Sequence, residues 1–395
     1  MVSSRTPERF QTQKIIVLSV CHFIHDIYSS FFAPLLPLLI EKLSLTLTQA
    51  GFLSTVMQLP ALMNPLLGSL ADRTSVRYFI ILAPATTAIP MCLLGLAPSY
   101  GVLLILLFIT GISIAVFHVP APVMVSRLAG DRKGKGMSFF MTGGEMARAV
   151  GPLVTVGGVS LLGLEGFYPI MIVGIAASVW LFFKFRDVSI TVKKKQSIGL
   201  FSTFRQMRHI LLPLAAILIA RGFMHASLTT FLPTFVASET GNLWLAGMAL
   251  TLFELCGVAG VMTSGSLSDH FGRRKILRVS LIGAPISLFL FAFIGGWMRF
   301  GALIVAGFTL LSTTPVMLAM VQEHATSSPS AANGMFMLIS FIARSAVVVI
   351  VGFIGDQIGL RATYFISAAL GLTALPFIFM LPGAAKTSTS APTAT

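Results

Sequence analysis

The chain has 395 residues, of which 55% are hydrophobic and only 10% are charged, and its mean hydropathy is +0.90. Because soluble domains carry about 25% charged residues, this composition excludes a water-soluble fold. The net charge of +14 does not predict a nucleic-acid partner, since basic residues in a membrane protein first set its topology.

Apolar runs predict twelve membrane-spanning helices, because a span needs about 20 mostly apolar residues. The first run carries His22, His25 and Asp26 and lacks a small-residue cleavage site, so we interpret it as a retained span rather than a signal peptide. The three cysteines all fall inside such runs, which predicts neither a disulfide framework nor a metal site. The spans are predicted at roughly 15–40, 50–71, 77–97, 101–126, 136–163, 166–184, 210–236, 245–268, 275–297, 300–323, 333–356 and 360–382.

The basic residues predict the orientation of these spans. With the N-terminus in the cytoplasm, most of the 27 lysines and arginines fall in cytoplasmic loops, whereas only Lys42, Arg299 and Arg361 fall in the outer loops. This asymmetry satisfies the positive-inside rule. It predicts a multi-pass protein of the inner or plasma membrane with both termini in the cytoplasm.

The longest basic loop predicts the division into domains. Residues 185–209 contain three consecutive lysines, which we interpret as a solvated topology signal, with lipid recognition as the alternative. This loop would link an N-terminal six-helix bundle, residues 1–184, to a C-terminal bundle, residues 210–382. The Ser/Thr/Ala/Pro-rich tail, residues 383–395, is predicted to be disordered.

A duplicated motif relates the two halves. Gly68-Ser69-Leu70-Ala71-Asp72-Arg73 recurs 197 residues later as Gly265-Ser266-Leu267-Ser268-Asp269, followed by Arg273. At an offset of 196, Ala147-Arg148 likewise matches Ala343-Arg344. Repetition at half the chain length predicts two bundles related by a pseudo-twofold axis, so the fold class is an all-α integral membrane protein.

This architecture, with the Gly-x-Leu-Ala-Asp-Arg loop after the second span, resembles the major facilitator superfamily. Val116-Phe117-His118 in the fourth span and the run from Gly143 to Leu153 in the fifth resemble the fosmidomycin-resistance branch of its efflux proteins. Gly151-Pro152 followed by Gly157-Gly158 is similar to a motif of proton antiporters, although the glycine pair comes two residues late. The alternative is a glycine-rich helix that only packs closely.

The resemblance implies alternating-access transport, no enzymatic activity and no cofactor. No nucleotide-binding loop or catalytic motif occurs in the expected context, so an ion gradient would drive transport. The resemblance also implies a gating role for the two copies of the loop motif, whose residues are Gly68, Asp72, Arg73, Arg77, Gly265, Asp269, Arg273 and Arg274.

Ionisable side chains at membrane depth are functional candidates, because they are costly unless they face a cavity or one another. Here they avoid the third, sixth, ninth and twelfth spans, which the resemblance makes the outer helices. Repeat symmetry pairs His25 with Arg221, Gln58 with Glu254 and Arg148 with Arg344. We therefore predict that an anionic substrate is bound by Arg148, Arg344, Arg221, His25, His118, Gln58 and Glu254.

A structural role for these charges is the alternative. Glu145 and Arg148 could pair on one helix turn, and Asp26 could pair with Arg221 between the halves. For coupling we predict proton carriage by Asp26 and Glu145, because burial raises a carboxyl pKa toward neutrality. His22 and Asp26 are four residues apart and share a helix face, whereas His25 and Asp26 point about 100° apart.

These observations predict a monomeric, proton-coupled exporter of a small, anionic organic compound, which binds within the lipid bilayer between the halves. An uptake symporter for an organic anion or siderophore is the alternative within the same fold. A membrane receptor or scaffold that transports nothing is the alternative of another class.

Overall fold

The computed structural model describes residues 10–64, 77–187, 200–325 and 329–382, and the regular structure of these residues is helical throughout. In the N-terminal half the α-helices are α1 (Thr12–Ser29), α2 (Phe32–Leu43), α3 (Leu47–Gln58), α4 (Arg77–Cys92), α5 (Tyr100–His118), α6 (Ala121–Leu128), α7 (Lys133–Leu162) and α8 (Met171–Phe185). Short 3-10 turns follow α3 and α4 and precede α8.

The C-terminal half repeats this order. Its helices are α9 (Leu200–Thr229), α10 (Leu232–Thr240), α11 (Leu243–Phe271), α12 (Arg273–Phe293), α13 (Met298–His324), α14 (Pro329–Ile358), α15 (Leu360–Leu372) and α16 (Leu375–Met380). The seventh span thus begins in a helix that starts at Leu200, ten residues before the predicted boundary. Residues 188–199 of the predicted linker and the whole predicted tail lie outside the described residues.

Ten stretches of the described chain are long and apolar enough to cross a membrane. They correspond to every predicted span except the second and the fifth. The description of the second span stops at residue 64, and the fifth, α7, is a 30-residue helix that carries glycines and the ionisable pair Glu145 and Arg148. The predicted all-helical, twelve-span architecture is therefore confirmed, and α7 differs from the others because its polar residues lower its hydropathy.

Several spans are broken into two helices. The fourth span is interrupted after His118, where Pro120 separates α5 from α6. A proline cannot donate the backbone hydrogen bond of a helix and clashes with the preceding turn, which explains the break. The first span breaks between α1 and α2, and the seventh between α9 and α10.

The two halves contact each other on the side of the membrane opposite to the linker. We call this side the far side and the opposite one the linker side. A Cβ atom on Gly51 of α3 would lie 2.6 Å from the carbonyl oxygen of Val348 in α14. The halves thus contact each other along two seams, the first between α3 and α14 and the second between α7 and α11. At the second seam, a Cβ on Gly247 of α11 would lie 2.7 Å from a methyl group of Val156 in α7. The protein is therefore closed on the far side.

Candidate functional site

Three side chains from two spans form a histidine–aspartate cluster in the N-terminal half. In α1, His22 Nε2 lies 3.1 Å from Asp26 Oδ2, as the spacing of four residues predicts. His118 Nε2, at the end of α5, lies 3.5 Å from Asp26 Oδ1 and 3.4 Å from His22 Nε2. His22 and Asp26 are buried, whereas the His118 side chain is 38% exposed.

His25 joins this cluster from the other side of Asp26. Its Nδ1 lies 2.8 Å from Asp26 Oδ1, and its Nε2 lies 3.0 Å from the hydroxyl of Thr87 in α4. The two neighbouring residues point in different directions along α1, yet the short aspartate side chain still reaches the imidazole ring. His25 is fully buried and both its ring nitrogens have partners, so it supports Asp26.

Arg148 and Glu145 form an ion pair on one turn of α7, so the structure contains the local pair that the sequence offered as the alternative to substrate binding. The Arg148 side chain is nevertheless 49% exposed in the middle of a membrane-spanning helix. It interacts electrostatically with Glu254 of the other half and is repelled by the charge of Arg344. Arg148 therefore lies between the two halves, where its charge faces open space.

Two arginines of the C-terminal half lack a carboxylate partner among the described residues. Arg221 in α9 is buried and donates to the backbone carbonyl of Leu310 at 3.1 Å. Arg344 in α14 lies over the ring of Phe341 and is half-buried. The pairing of Asp26 with Arg221, which the sequence offered as an alternative, is absent, because Asp26 is held by the histidines while Arg221 and Arg344 repel each other.

The remaining predicted binding residues occupy the same interface. Glu254 in α11 is half-buried and interacts electrostatically with Arg148 and Glu145. Gln58 at the end of α3 donates to Ser54, and its carbonyl oxygen is buried without a hydrogen-bond partner.

The structure describes only part of the duplicated loop motif. Gly68, Asp72 and Arg73 lie outside the described residues, whereas Arg77 begins α4. In the second copy, Arg273 pairs with Asp269 and, at 2.9 Å, with Glu323 at the end of α13. Gly265 has open space where a Cβ would be, and Arg274 lines a linker-side cavity of about 380 Å³.

Sequence reasoning missed a contact between the halves on the far side. Asp356 in α14 accepts from the backbone N–H groups of Leu47 and Thr48 at 2.7 and 2.9 Å. These groups are in the first turn of α3 and have no partner within that helix. The hydroxyl of Thr48 also donates to Asp356, at 2.5 Å. An aspartate two residues before a helix end gives no sequence signal for this contact, because its partners are 308 and 309 residues away.

The model of the Major Facilitator Superfamily matches the chain over residues 18–243 and 241–395. The chain belongs to the major facilitator superfamily. It is therefore a multi-pass membrane transporter and not an enzyme, as the sequence predicted.

Individual relatives are distant but span nearly the whole chain. The fosmidomycin resistance protein of Escherichia coli (strain K12) is 25% identical over 393 residues, covering 96% of this chain and 95% of the relative. An uncharacterized MFS-type transporter of Bacillus subtilis (strain 168), YfnC, is 24% identical and covers 94% and 93%. The predicted resemblance to the fosmidomycin-resistance branch is confirmed.

Solved structures agree with the fold. The crystal structure of the nucleoside transporter NupG superposes with a TM-score of 0.76 at 15% identity, covering 93% of this chain and 98% of that one. A bacterial homologue of the human lysosomal transporter Spinster, in an inward-facing conformation, gives a TM-score of 0.74 at 16% identity, with 95% of each chain covered.

Proposed function

We propose that this transporter exports a small organic anion at the expense of a proton gradient. The observation that carries the proposal is the group of three arginines, Arg148, Arg221 and Arg344, which repel one another between the halves. Only Arg148 has a carboxylate within ion-pair distance in the described part of the chain. Buried positive charge without a counter-charge is costly, so an anion that enters this space is stabilised.

Arginine also suits particular anions. Its planar guanidinium donates two parallel hydrogen bonds to a carboxylate, phosphate or phosphonate. Arg148 comes from the N-terminal half and Arg344 from the C-terminal half, so an anion held by both would bind each half as alternating access requires. Export is favoured by the names of relatives, which include a fosmidomycin resistance protein and multidrug resistance proteins.

The Glu145–Arg148 pair favours a second candidate, the uptake symporter. An anion that takes Arg148 displaces Glu145, and a carboxylate left unpaired at membrane depth binds a proton more readily. Anion and proton would then bind together and move in the same direction. Asp26, the other predicted proton carrier, is surrounded by histidines rather than by the arginines, so we assign coupling in this symporter to Glu145.

The basic residues support an orientation in the cytoplasmic membrane with the linker side in the cytoplasm, where both termini would also lie. A monomer contains the complete arginine group, since Arg148, Arg221 and Arg344 all come from one chain. We therefore propose the monomer as the transporting unit.

Proteoliposomes with an imposed pH gradient test the function. The lumenal pH and the movement of a labelled anion are followed for a panel of phosphonates, including fosmidomycin, carboxylates and neutral drugs. Export predicts that the anion moves against the protons, and the symporter predicts that they move together. If no anion moves with or against protons, proton-coupled anion transport is wrong.

A matched pair of arginine variants tests the binding site. Arg344→Gln removes a charged hydrogen-bond donor, worth about 1.5–3 kcal/mol, so we expect roughly 10- to 100-fold weaker anion binding. Arg278→Gln, at an exposed arginine near Phe379, should bind normally. Equal affinity of Arg344→Gln and the unmodified protein would refute the assignment.

A further inference from the structure

The histidine–aspartate cluster of α1 and α5 has the hydrogen-bond pattern of a metal site. His22 Nδ1 lies 2.8 Å from the carbonyl oxygen of Phe140, and His118 Nδ1 lies 3.0 Å from that of Ile114. A carbonyl oxygen only accepts, so both Nδ1 atoms carry a hydrogen, and in the neutral imidazole each Nε2 then presents a lone pair. Metal-binding histidines are oriented in the same way by their second nitrogen.

The lone pairs of these two nitrogens converge on the carboxylate of Asp26. The three separations among His22 Nε2, His118 Nε2 and the Asp26 oxygens are 3.1, 3.4 and 3.5 Å. Three acceptors held this close repel one another, and either a metal ion between them or a proton on one imidazole would stabilise the cluster. Four ligands at about 2.0–2.2 Å around a tetrahedral ion are about 3.3–3.6 Å apart. The separation of 3.4 Å between the two nitrogens matches this spacing, and one ligand atom from each of the three residues lies within 4.8 Å of the other two.

We propose that His22, Asp26 and His118 bind a divalent transition-metal cation of the zinc class. Two imidazole nitrogens and one carboxylate oxygen select zinc, cobalt, nickel or copper over magnesium and calcium. With three protein ligands, the fourth position stays open. The half-exposed side of His118 gives the ion a path into the site. This inference goes beyond the proposed transport function and does not depend on it.

The surroundings of the three ligands support this assignment. His22 stacks on Phe140 with ring centroids 3.9 Å apart, and His25 holds the Asp26 carboxylate at 2.8 Å. Gly144 leaves room for the cluster, because a Cβ there would lie 2.7 Å from the His22 ring. Arg148 is the nearby positive charge that would oppose a cation, and its ion pair with Glu145 offsets that charge.

The other half of the molecule shows that the fold does not require this cluster. At the offset of 196 residues, the positions of His22, Asp26 and His118 correspond to Leu218, Gly222 and Thr314. None of these three residues is a ligand of zinc-class ions in proteins. The ligand set is therefore a particular feature of the N-terminal half.

Cobalt titration tests the site, because tetrahedral Co²⁺ absorbs visible light. The full chain, purified without a histidine tag and stripped with a chelator, is titrated with Co²⁺ and then with competing Zn²⁺. We expect one Co²⁺ per chain and loss of the absorption band when Zn²⁺ is added. His118→Gln should weaken binding at least tenfold, since even an outer-shell change costs about 10- to 100-fold.

Two controls keep the result interpretable. His225→Gln changes a half-buried histidine of α9 and should keep the band, and the melting temperature of His118→Gln in chelator should match that of the unmodified chain. X-ray absorption of the zinc-loaded unmodified chain should show two imidazoles, which requires no variant. Absence of stoichiometric binding, as expected for a site that holds only a proton, or equal affinity in His118→Gln, would overturn the proposal.

Discussion

Arg148 carries its own counter-charge, Glu145, whereas Arg344 has no carboxylate within ion-pair distance among the described residues. Arg148 can therefore exchange partners, while Arg344 offers a charge that is not yet compensated. An anion between the halves would find Arg344 uncompensated and would have to compete with Glu145 for Arg148. Because of this difference between two arginines at equivalent repeat positions, we propose Glu145 as the residue that would link anion binding to protonation in the symporter.

Replacing Glu145 by Gln separates binding from coupling. The variant removes the competitor for Arg148, and a half-exposed ion pair is worth about 0.5–1 kcal/mol, so we expect anion affinity to rise roughly two- to fivefold. Proton movement coupled to the anion should fall, because Gln cannot be protonated. Calorimetric binding and proteoliposome flux measure the two effects.

Glu165→Gln is the matched control for this experiment, since Glu165 also forms an ion pair, with Lys42 at 2.6 Å on the protein surface. It should change neither binding nor coupling. Weaker anion binding by Glu145→Gln would show that Glu145 supports the anion site instead of competing with the substrate.

At the scale of elements, the first backbone N–H groups of α3 donate hydrogen bonds to residues of both halves. Thr46 and Gln49 form a capping box within the N-terminal half, while Asp356 of α14 accepts from Leu47 and Thr48 across the interface. The negative carboxylate also lies at the positive end of the α3 dipole. Only the second set of bonds must break when the far side opens, so Asp356 stabilises the closed state specifically.

Replacing Asp356 by Ala should shift the protein toward the state that is open on the far side. Losing a helix-capping aspartate costs about 0.5–2 kcal/mol, which changes the ratio of the two states by roughly 2- to 30-fold. Spin labels at Ser99 and Ser238, in a chain without native cysteines, report the far-side distance by pulsed electron resonance. Asp187→Ala, an exposed carboxylate at the end of α8, should leave the distance distribution unchanged, and an unchanged distribution in Asp356→Ala would contradict the role.

The membrane-spanning helices were predictable because each appears in the sequence as a run of apolar residues. The exceptions have local causes. The helix α7 was predicted, although Gly143, Gly144 and the ionisable pair make it less apolar than its neighbours. The break after His118 comes from Pro120, whereas the helical start at Leu200 lies in a segment whose basic residues are typical of a loop.

The site was predictable only in part. The list of ionisable residues at membrane depth contained the arginines, the histidines and the carboxylates, and the spacing of four predicted the contact of His22 with Asp26. Which other residues meet depends on the packing of separate spans. His118 reaches His22 from 96 positions away, and no local pattern in a single sequence encodes that distance.

For the whole molecule, the duplication creates two seams that are similar but not equal. On one seam Gly51 and Gly352 bring the backbones of α3 and α14 together, since a Cβ at Gly352 would lie 2.3 Å from the carbonyl oxygen of Leu47. On the other seam Gly247 faces the buried side chain of Val156, which is the repeat equivalent of Gly352. Closer approach of the helices is therefore limited by rigid backbone at the first seam and by a side chain at the second.

Replacing the two repeat-equivalent glycines, Gly51 and Gly247, by alanine should reveal this difference. Gly51→Ala forces α3 away from the Val348 carbonyl, and overpacking of this kind costs about 1–3 kcal/mol, so we expect the far-side-closed state to lose roughly 5- to 150-fold in relative population. Gly247→Ala meets a methyl group of Val156 rather than a backbone carbonyl, so its effect should be several-fold smaller. The Ser99–Ser238 spin-label distance measures both populations. Equal shifts in the two variants would mean that the seams are energetically equivalent and that the duplicated halves open symmetrically.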